Sequence, residues 1–240
     1  MGLNLKVKMS NYPNTKIHNT LPKILKHRAD TIPNTVALRD KDLGIWNEIT
    51  WKQYNDNVSY LALGLAKRGF KAGDVLGLIG DNKPSWIFFE LAAQAAGGMS
   101  LGVYRDTLDE EVGYLMDAAK VSFVYAEDQE QVDKILTIKR PKNNPINIFY
   151  DDSRGLKELN DPNITDMLDL INEGKVLTSK DPEKYNKMID KVSGEQNAIL
   201  CTTSGTTSNP KLAMLPGGKF VDHVIRYLNV DPKTVNDEYV

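Results

Sequence analysis

The 240-residue sequence is poor in cysteine, in net charge and in long apolar runs. A single cysteine, Cys201, excludes an internal disulfide and a cysteine-based metal site, and it fits a reducing, cytoplasmic compartment. The 30 Lys and Arg nearly balance the 32 Asp and Glu, so no basic excess indicates a nucleic-acid partner. The longest apolar stretch, residues 86–99, is interrupted by Glu90 and Gln94 and predicts a buried helix. An integral membrane segment is therefore not expected; peripheral membrane contact and the oligomeric state stay open.

What is present is an alternation of two patterns. Short apolar runs near residues 74–79, 99–104, 121–125 and 146–150 are typical of strands buried on both faces. Helical patterns separate them, the first opening at residues 82–84 and the others covering 108–119 and 129–138. Strands and helices taking turns predict an α/β fold with a doubly wound, mostly parallel sheet.

Other segments flank this alternation. Residues 1–19 are interpreted as an N-terminal extension, and Thr20 as the cap of a short helix. Residues 36–38 and 46–50 favour a hairpin, after which Thr50 caps a longer helix. Residues 151–192 are more polar and predict an excursion over the surface that carries two helices.

One segment, Thr203 to Lys211, has a composition suited to phosphate. It follows a predicted strand at residues 197–202 and precedes another at 211–215. Glycine and small hydroxyl residues let the backbone bend tightly and direct several N–H groups into one concavity, which favours an anion. Lys211 adds a positive charge, and Pro210 stiffens the exit of the loop.

Two other interpretations were weighed for this loop. A hydrophilic turn between strands is common, but Lys211 argues against it. The phosphate loop of nucleotide triphosphatases, Gly-x4-Gly-Lys-[Ser/Thr], matches Gly205 and Lys211. However, Pro210 replaces its second glycine, Leu212 replaces its magnesium-binding hydroxyl, and a strand rather than a helix is predicted to follow.

The run from Leu200 to Lys211 resembles the signature loop of the adenylate-forming enzymes, which include acyl-CoA synthetases, firefly luciferase and the adenylation domains of peptide synthetases. The segments 31–38, 49–54 and 73–104 are also similar to this family, closest to its long-chain fatty acyl-CoA synthetases. The resemblance begins near Thr20 and continues to the end of the chain. Ser208 and Leu212 depart from it, because many relatives have glycine at both positions.

The resemblance implies an ATP-dependent acid–thiol ligase that forms AMP, acting on a carboxylic acid, expected to be a fatty acid. Its cofactors would be ATP and Mg²⁺, with coenzyme A as co-substrate. The magnesium-binding Glu is expected in a part of the relatives that this sequence lacks, so no metal ligand is assigned here. Lys211 and Thr206 are the expected catalytic residues. The expected ATP-binding residues are Thr203, Ser204, Gly205, Thr206, Thr207, Ser208 and Lys211.

The same resemblance implies that residues 20–240 are a partial AMP-binding (adenylation) domain without the C-terminal lid domain. The sequence is thus interpreted as the N-terminal part of such an enzyme, inactive in isolation. Two alternatives stay open: a non-catalytic module that binds ATP or pyrophosphate, and a non-functional truncated product.

Two further features near the loop have competing interpretations. Cys201 could act as a nucleophile, but no His or Asp lies nearby in sequence, which favours a small residue in a buried strand. Trp86, Phe88 and Phe89 could line a fatty-acid tunnel, but a place in the helix core is the simpler expectation.

Overall fold

The computed structural model describes residues 13–139, 145–203, 210–233 and residue 237. Its first part, in chain order, comprises α1 (Leu21–Thr31), β1 (Val36–Asp42), β2 (Ile45–Thr50), α2 (Trp51–Lys67), β3 (Val75–Ile79), α3 (Pro84–Ala95), β4 (Met99–Val103), α4 (Asp109–Ala118), β5 (Phe123–Ala126) and α5 (Gln129–Leu136). The second part comprises β6 (Asn147–Tyr150), β7 (Ile164–Asp166), α6 (Met167–Lys180), α7 (Lys184–Asp190), β8 (Asn197–Thr203), β9 (Lys211–Pro216) and α8 (Gly217–Val230).

The predicted hairpin and the helix after it are both present. β1 and β2 pair antiparallel, and Leu43 and Gly44 take positive φ values of 46° and 85° in the turn. Thr50 then caps α2: its hydroxyl accepts the Gln53 N–H at 3.2 Å, and the Gln53 side chain accepts the Thr50 N–H at 2.8 Å. This reciprocal arrangement satisfies two backbone donors that the first turn of a helix leaves free.

The main sheet has seven strands in the order β7-β6-β5-β3-β4-β8-β9. All neighbours pair parallel except β8 and β9, which pair antiparallel. The predicted fold class, α/β with a doubly wound and mostly parallel sheet, is therefore confirmed.

Alternate residues of the central strands feed two separate cores. Leu76 and Leu78 of β3 join a core with α1, α2, α3, α6 and α7, whereas Val75 and Ile79 join a core with α4 and α5. Because successive side chains of a strand point to opposite faces, this alternation places helices on both faces of the sheet.

Residues 151–192, predicted as a polar surface excursion that carries two helices, contain the helices α6 and α7 and the short strand β7. Within this segment β7 adds an edge strand beside β6, and α6 packs on α2 with Leu170 and Ile171 buried. Two glycines permit this crossing. A Cβ added at Gly174 would lie 2.0 Å from the Tyr60 carbonyl oxygen, and one added at Gly64 would lie 2.7 Å from the Leu170 carbonyl oxygen. Part of this polar segment is therefore packed into the fold.

Candidate functional site

The centre of the sheet contains a change in the direction of winding. After β3 the chain enters α3 on one face, and after β4 it enters α4 on the other face. Two neighbouring strands whose connections leave on opposite sides open a crevice at their carboxyl ends, where open α/β sheets bind ligands. A cavity of about 390 Å³ lies there, bordered by residues that follow or end β3, β4 and β8.

The interior of this cavity combines a carboxyl group with an indole ring. Glu90 of α3 lines the cavity, and its Oε1 accepts the Ser100 hydroxyl at 3.2 Å and the Gln94 amide at 3.4 Å. Burial raises the pKa of Glu90, and the Ser100 hydrogen bond opposes that rise only in part. Trp86 lies against Gly102, where an added Cβ would come within 3.0 Å of the indole ring. Gly102 therefore leaves room for the ring beside β4.

An ion pair between the buried Glu127 and the part-exposed Lys83 fixes the loop after β3, which borders the cavity. Glu127 is 4% exposed, and its Oε1 lies 2.5 Å from the Lys83 ammonium while its Oε2 accepts the Asp81 N–H at 2.6 Å. Burial alone would lower the pKa of Lys83, but the hydrogen bond and charge of Glu127 reverse this and raise it. Gly80 has φ of +152°, and a Cβ there would lie 2.6 Å from Glu127, so the close approach requires glycine.

A second polar group lies at the carboxyl ends of β5 and β6. The Ser85 hydroxyl donates to Asp151 Oδ2 at 2.6 Å and lies 2.8 Å from the Tyr125 hydroxyl. Since Ser85 has one proton, Tyr125 donates to Ser85 and Ser85 to Asp151. Burial raises the pKa of Asp151, outweighing the opposing effects of Ser85 and Lys83. The N-terminal turn of α3 is thereby tied to two strands.

The predicted phosphate loop begins and ends at the same edge of the sheet. Thr203 ends β8 and pairs with Lys211, the first residue of β9, and its hydroxyl donates to the Lys211 carbonyl at 3.3 Å. Pro210 is fixed by the Tyr114 hydroxyl, which donates to its carbonyl at 3.1 Å. The strand predicted after Lys211 is confirmed, which removes the triphosphatase interpretation.

The predicted site residues are thus only partly within the described structure. Thr203 and Lys211 face each other across the hairpin, and Lys211 is exposed. The other predicted ATP-binding residues lie outside the described residues: Ser204, Gly205, Thr206, Thr207 and Ser208.

Sequence reasoning missed the polar groups on the neighbouring strands. Glu127 and Asp151 each come directly after a strand, and a search for polar residues at the carboxyl ends of parallel strands would have found them. The expectation that Cys201 is a buried strand residue was also wrong. Cys201 is exposed and lines the cavity. Phe88 and Phe89 belong to the core, and the half-buried Trp86 packs against that core and also lines the cavity.

A family model described as AMP-binding enzyme matches residues 25–240. This chain belongs to that family. The resemblance of the loop to the adenylate-forming enzymes predicted this family, and the prediction is confirmed.

The chain's relatives among AMP-binding enzymes include long-chain-fatty-acid–CoA ligases. It is 28% identical over 196 residues to ACSBG2 of Rattus norvegicus, covering 82% of this chain and 29% of that protein. It is 28% identical over 203 residues to ACSBG1 of Rattus norvegicus, covering 84% of this chain and 27% of that protein. The chain therefore spans less than a third of the length of these relatives.

Solved structures support the same fold. The luciferase-like enzyme from the nonluminescent Zophobas morio mealworm superposes with a TM-score of 0.71 at 14% identity, over 90% of this chain and 47% of that one. The fatty acyl-adenylate ligase from L. pneumophila, solved with acyl adenylate and pyrophosphate, gives 0.62 at 18% identity, over 88% of this chain and 32% of that one.

Among the helices described above, none has the length and apolarity needed to cross a bilayer. Within residues 13–139, 145–203, 210–233 and 237, no group of three or more His, Cys, Asp or Glu is arranged to hold a metal ion.

Proposed function

We propose that this chain supplies the phosphate-binding part of an ATP-dependent acyl-CoA synthetase whose acid substrate is a fatty acid. The observation that supports it best is the hairpin of β8 and β9, which opens at the carboxyl edge of the sheet. Lys211 lies directly opposite Thr203 where these strands end, and the neighbouring Thr202 lines the cavity. Membership of the AMP-binding family and the fatty-acid–CoA ligases among the relatives support the same reaction class.

The proposed reaction has two steps. A carboxylate oxygen of the fatty acid attacks the α-phosphorus of ATP, the bond to the β-phosphate oxygen breaks, and pyrophosphate leaves. The sulfur of coenzyme A then attacks the acyl carbonyl, loses its proton, and AMP leaves with the electrons of the acyl–oxygen bond. Negative charge builds up on the leaving pyrophosphate, so preorganised donors and a cation placed there lower the barrier.

Lys211 is the residue proposed to meet that charge. It is exposed at the start of β9, and the paired strands and the Tyr114–Pro210 hydrogen bond fix the backbone before it. Thr206 and Thr207, with the neighbouring N–H groups, are proposed as donors to the β- and γ-phosphates. The described residues offer no ligand set for Mg²⁺, so nothing proposed for this chain depends on how the ion is held.

A second candidate function is a non-catalytic module that binds ATP or pyrophosphate. The observation in its favour is the run of glycine and hydroxyl residues before Lys211, which is suited to anion binding on its own. Both candidates require phosphate binding, and only the first requires turnover.

The single cysteine remains the basis for proposing a cytoplasmic location.

Calorimetric titration of the 240-residue chain with magnesium–ATP tests both candidates. We expect Lys211→Ala to weaken ATP binding by about tenfold or more, because a charge-assisted contact to phosphate is lost. Lys219→Ala is the matched control, since Lys219 is an exposed lysine of α8 away from the hairpin pair and should leave the affinity unchanged.

Incubation with ATP, coenzyme A and a long-chain fatty acid, followed by chromatography for AMP and acyl-CoA, separates the two candidates. AMP and thioester formation that Lys211→Ala abolishes supports the synthetase. ATP binding without AMP formation supports phosphate binding, which the two candidates share. Equal ATP affinity in the wild type and Lys211→Ala would remove Lys211 from the phosphate site, and the absence of ATP binding by the wild type would overturn both candidates.

A further inference from the structure

The cavity between β3, β4 and β8 contains a carboxyl group that the proposed adenylation does not use. Glu90 lines it together with the Trp86 ring and the Ser100 hydroxyl. No lysine, arginine or histidine lines this cavity in the described part of the chain. With a volume of about 390 Å³, it is large enough for a small organic molecule.

The hydrogen bonds around Glu90 leave it able to accept another donor. Ser100 and Gln94 both donate to the same oxygen, Oε1, at 3.2 and 3.4 Å. These neutral donors supply no counter-charge for the carboxylate. A largely buried acid that lacks a cationic partner gains most from a ligand that brings one.

The residues that line the cavity determine which ligand charge is favoured. A phosphate or a fatty-acid carboxylate would meet like charge at Glu90 and no cation, so anions are disfavoured. A purely apolar chain would bury the carboxyl group without a new partner. A cation that also donates hydrogen bonds satisfies Glu90 and is attracted to the face of Trp86, the aromatic side chain with the strongest cation–π interaction.

We propose that this cavity binds a small primary alkylammonium group, with the Glu90 carboxylate as its counter-ion and the Trp86 ring as its aromatic wall. Thr202 and Cys201, which line the same cavity, lie at the end of β8 and thus beside the loop. The site does not depend on ATP binding or turnover, so its test is separate from that of the proposed function.

The experiment uses butylammonium as the probe, with butanol and butyrate as neutral and anionic molecules of similar size. Each is titrated into the ¹⁵N-labelled 240-residue chain while the indole N–H signals are followed. The sequence has 3 Trp, so Trp46 on the hairpin and Trp51 at the start of α2 serve as internal references for Trp86. Trp86→Phe assigns the signal.

We expect butylammonium to shift the Trp86 signal saturably and the other two probes to shift it little. Glu90→Gln, which keeps the shape and the oxygen that accepts from Ser100, should weaken butylammonium binding by about tenfold or more. Glu48→Gln is the control, because Glu48 is an exposed residue of the hairpin and should not change the affinity.

A pH series supplies a readout that a purely structural role of Glu90 would not produce. Ser100 of β4, Gln94 of α3 and Tyr54 of α2 interact with Glu90, and Tyr54 has a raised pKa and stays neutral. Burial raises the pKa of Glu90 above 4.5, so lowering the pH through that pKa neutralises it. The affinity of the wild type for butylammonium should therefore decrease as the pH is lowered. The affinity of Glu90→Gln should not change over the same pH range.

Two results would overturn the proposal. Butanol binding as tightly as butylammonium would make the cavity a site for neutral donors. The absence of any saturable Trp86 shift, with Trp46 and Trp51 signals showing an intact fold, would mean that the cavity takes no alkylammonium group.

Discussion

At the scale of single residues, Glu127 is the side chain on which the geometry of the site most depends. It joins Lys83 and the Asp81 N–H of the loop after β3 to the end of β5. Lys83 keeps a side chain that is 40% exposed, so its ammonium can return to water if the pair is broken. The Asp81 N–H and the packing beside Gly80 contact Glu127 directly. Glu127 therefore acts mainly by satisfying and positioning backbone.

Glu127→Ala should lower the free energy of unfolding by about 2 kcal/mol, because it removes the acceptor of the Asp81 N–H and the counter-charge of a part-exposed lysine. Glu127→Gln should cost less, since the amide oxygen still accepts from Asp81. Urea unfolding followed by circular dichroism measures both. Glu48→Ala is the matched control: the Arg39–Glu48 pair is also short, at 3.0 Å, but Glu48 is 53% exposed, so a change of about 0.5 kcal/mol or less is expected. Equal losses in the two alanine variants would contradict this account.

At the scale of elements, the contact between α2 and α6 depends on glycine in a way that can be tested. Gly174→Ala places a methyl group where the Tyr60 carbonyl oxygen is only 2.0 Å away, so the helices must separate. The expected cost of overpacking, about 1 to 3 kcal/mol, outweighs the gain of up to about 1 kcal/mol in helix propensity.

Gly113→Ala is the control for that substitution. Gly113 lies within α4, and its nearest neighbour, Ile138, would be 4.0 Å from an added Cβ. The same chemical change should therefore stabilise the chain by about 0.5 to 1 kcal/mol. Thermal or urea unfolding that gives the two variants the same sign would contradict the close crossing of α2 and α6.

The elements also show what could be predicted from sequence and what could not. The strands β3 to β6 were predictable because each is a compact apolar run between helical patterns. β7 was missed because it has only three residues, Ile164–Asp166, and all of them are half-buried. The pairing of Glu127 with Lys83 could not be predicted, because it requires β5 to lie beside β3, and strand order is not written in any local pattern.

The candidate site also has one part that could be predicted from sequence and one part that could not. The loop from Thr203 to Lys211 was predictable because a phosphate-binding loop needs glycine, hydroxyls and a cation close together in sequence. The cavity was not, because Glu90, Ser100 and Cys201 come from three elements that meet only in the folded sheet. A site whose residues are close together in sequence can be predicted from sequence. A site formed where neighbouring strands connect to opposite faces of the sheet can be found only when the order of the strands is known.

At the scale of the whole molecule, apolar side chains remain on the surface of α8, the last described helix. Val224, Tyr227 and Val230 are 39%, 55% and 85% exposed. They are spaced three residues apart on one helix, so they form a continuous strip along one side of it. An apolar strip of this kind favours association with another surface.

We therefore expect the 240-residue chain to self-associate at tens of micromolar, and the double substitution Val224→Lys with Val230→Lys to restore the monomer. Placing two charges on the strip makes its burial against a second copy costly, while Val221, which is 2% exposed, still anchors α8 to the sheet. Size-exclusion chromatography with light scattering over a concentration series measures the mass. Leu136→Lys is the control, because Leu136 is 46% exposed at the end of α5 and tests the same gain of charge elsewhere. A wild-type chain that stays monomeric throughout the series, or a control that restores the monomer equally well, would show that the strip on α8 does not drive association.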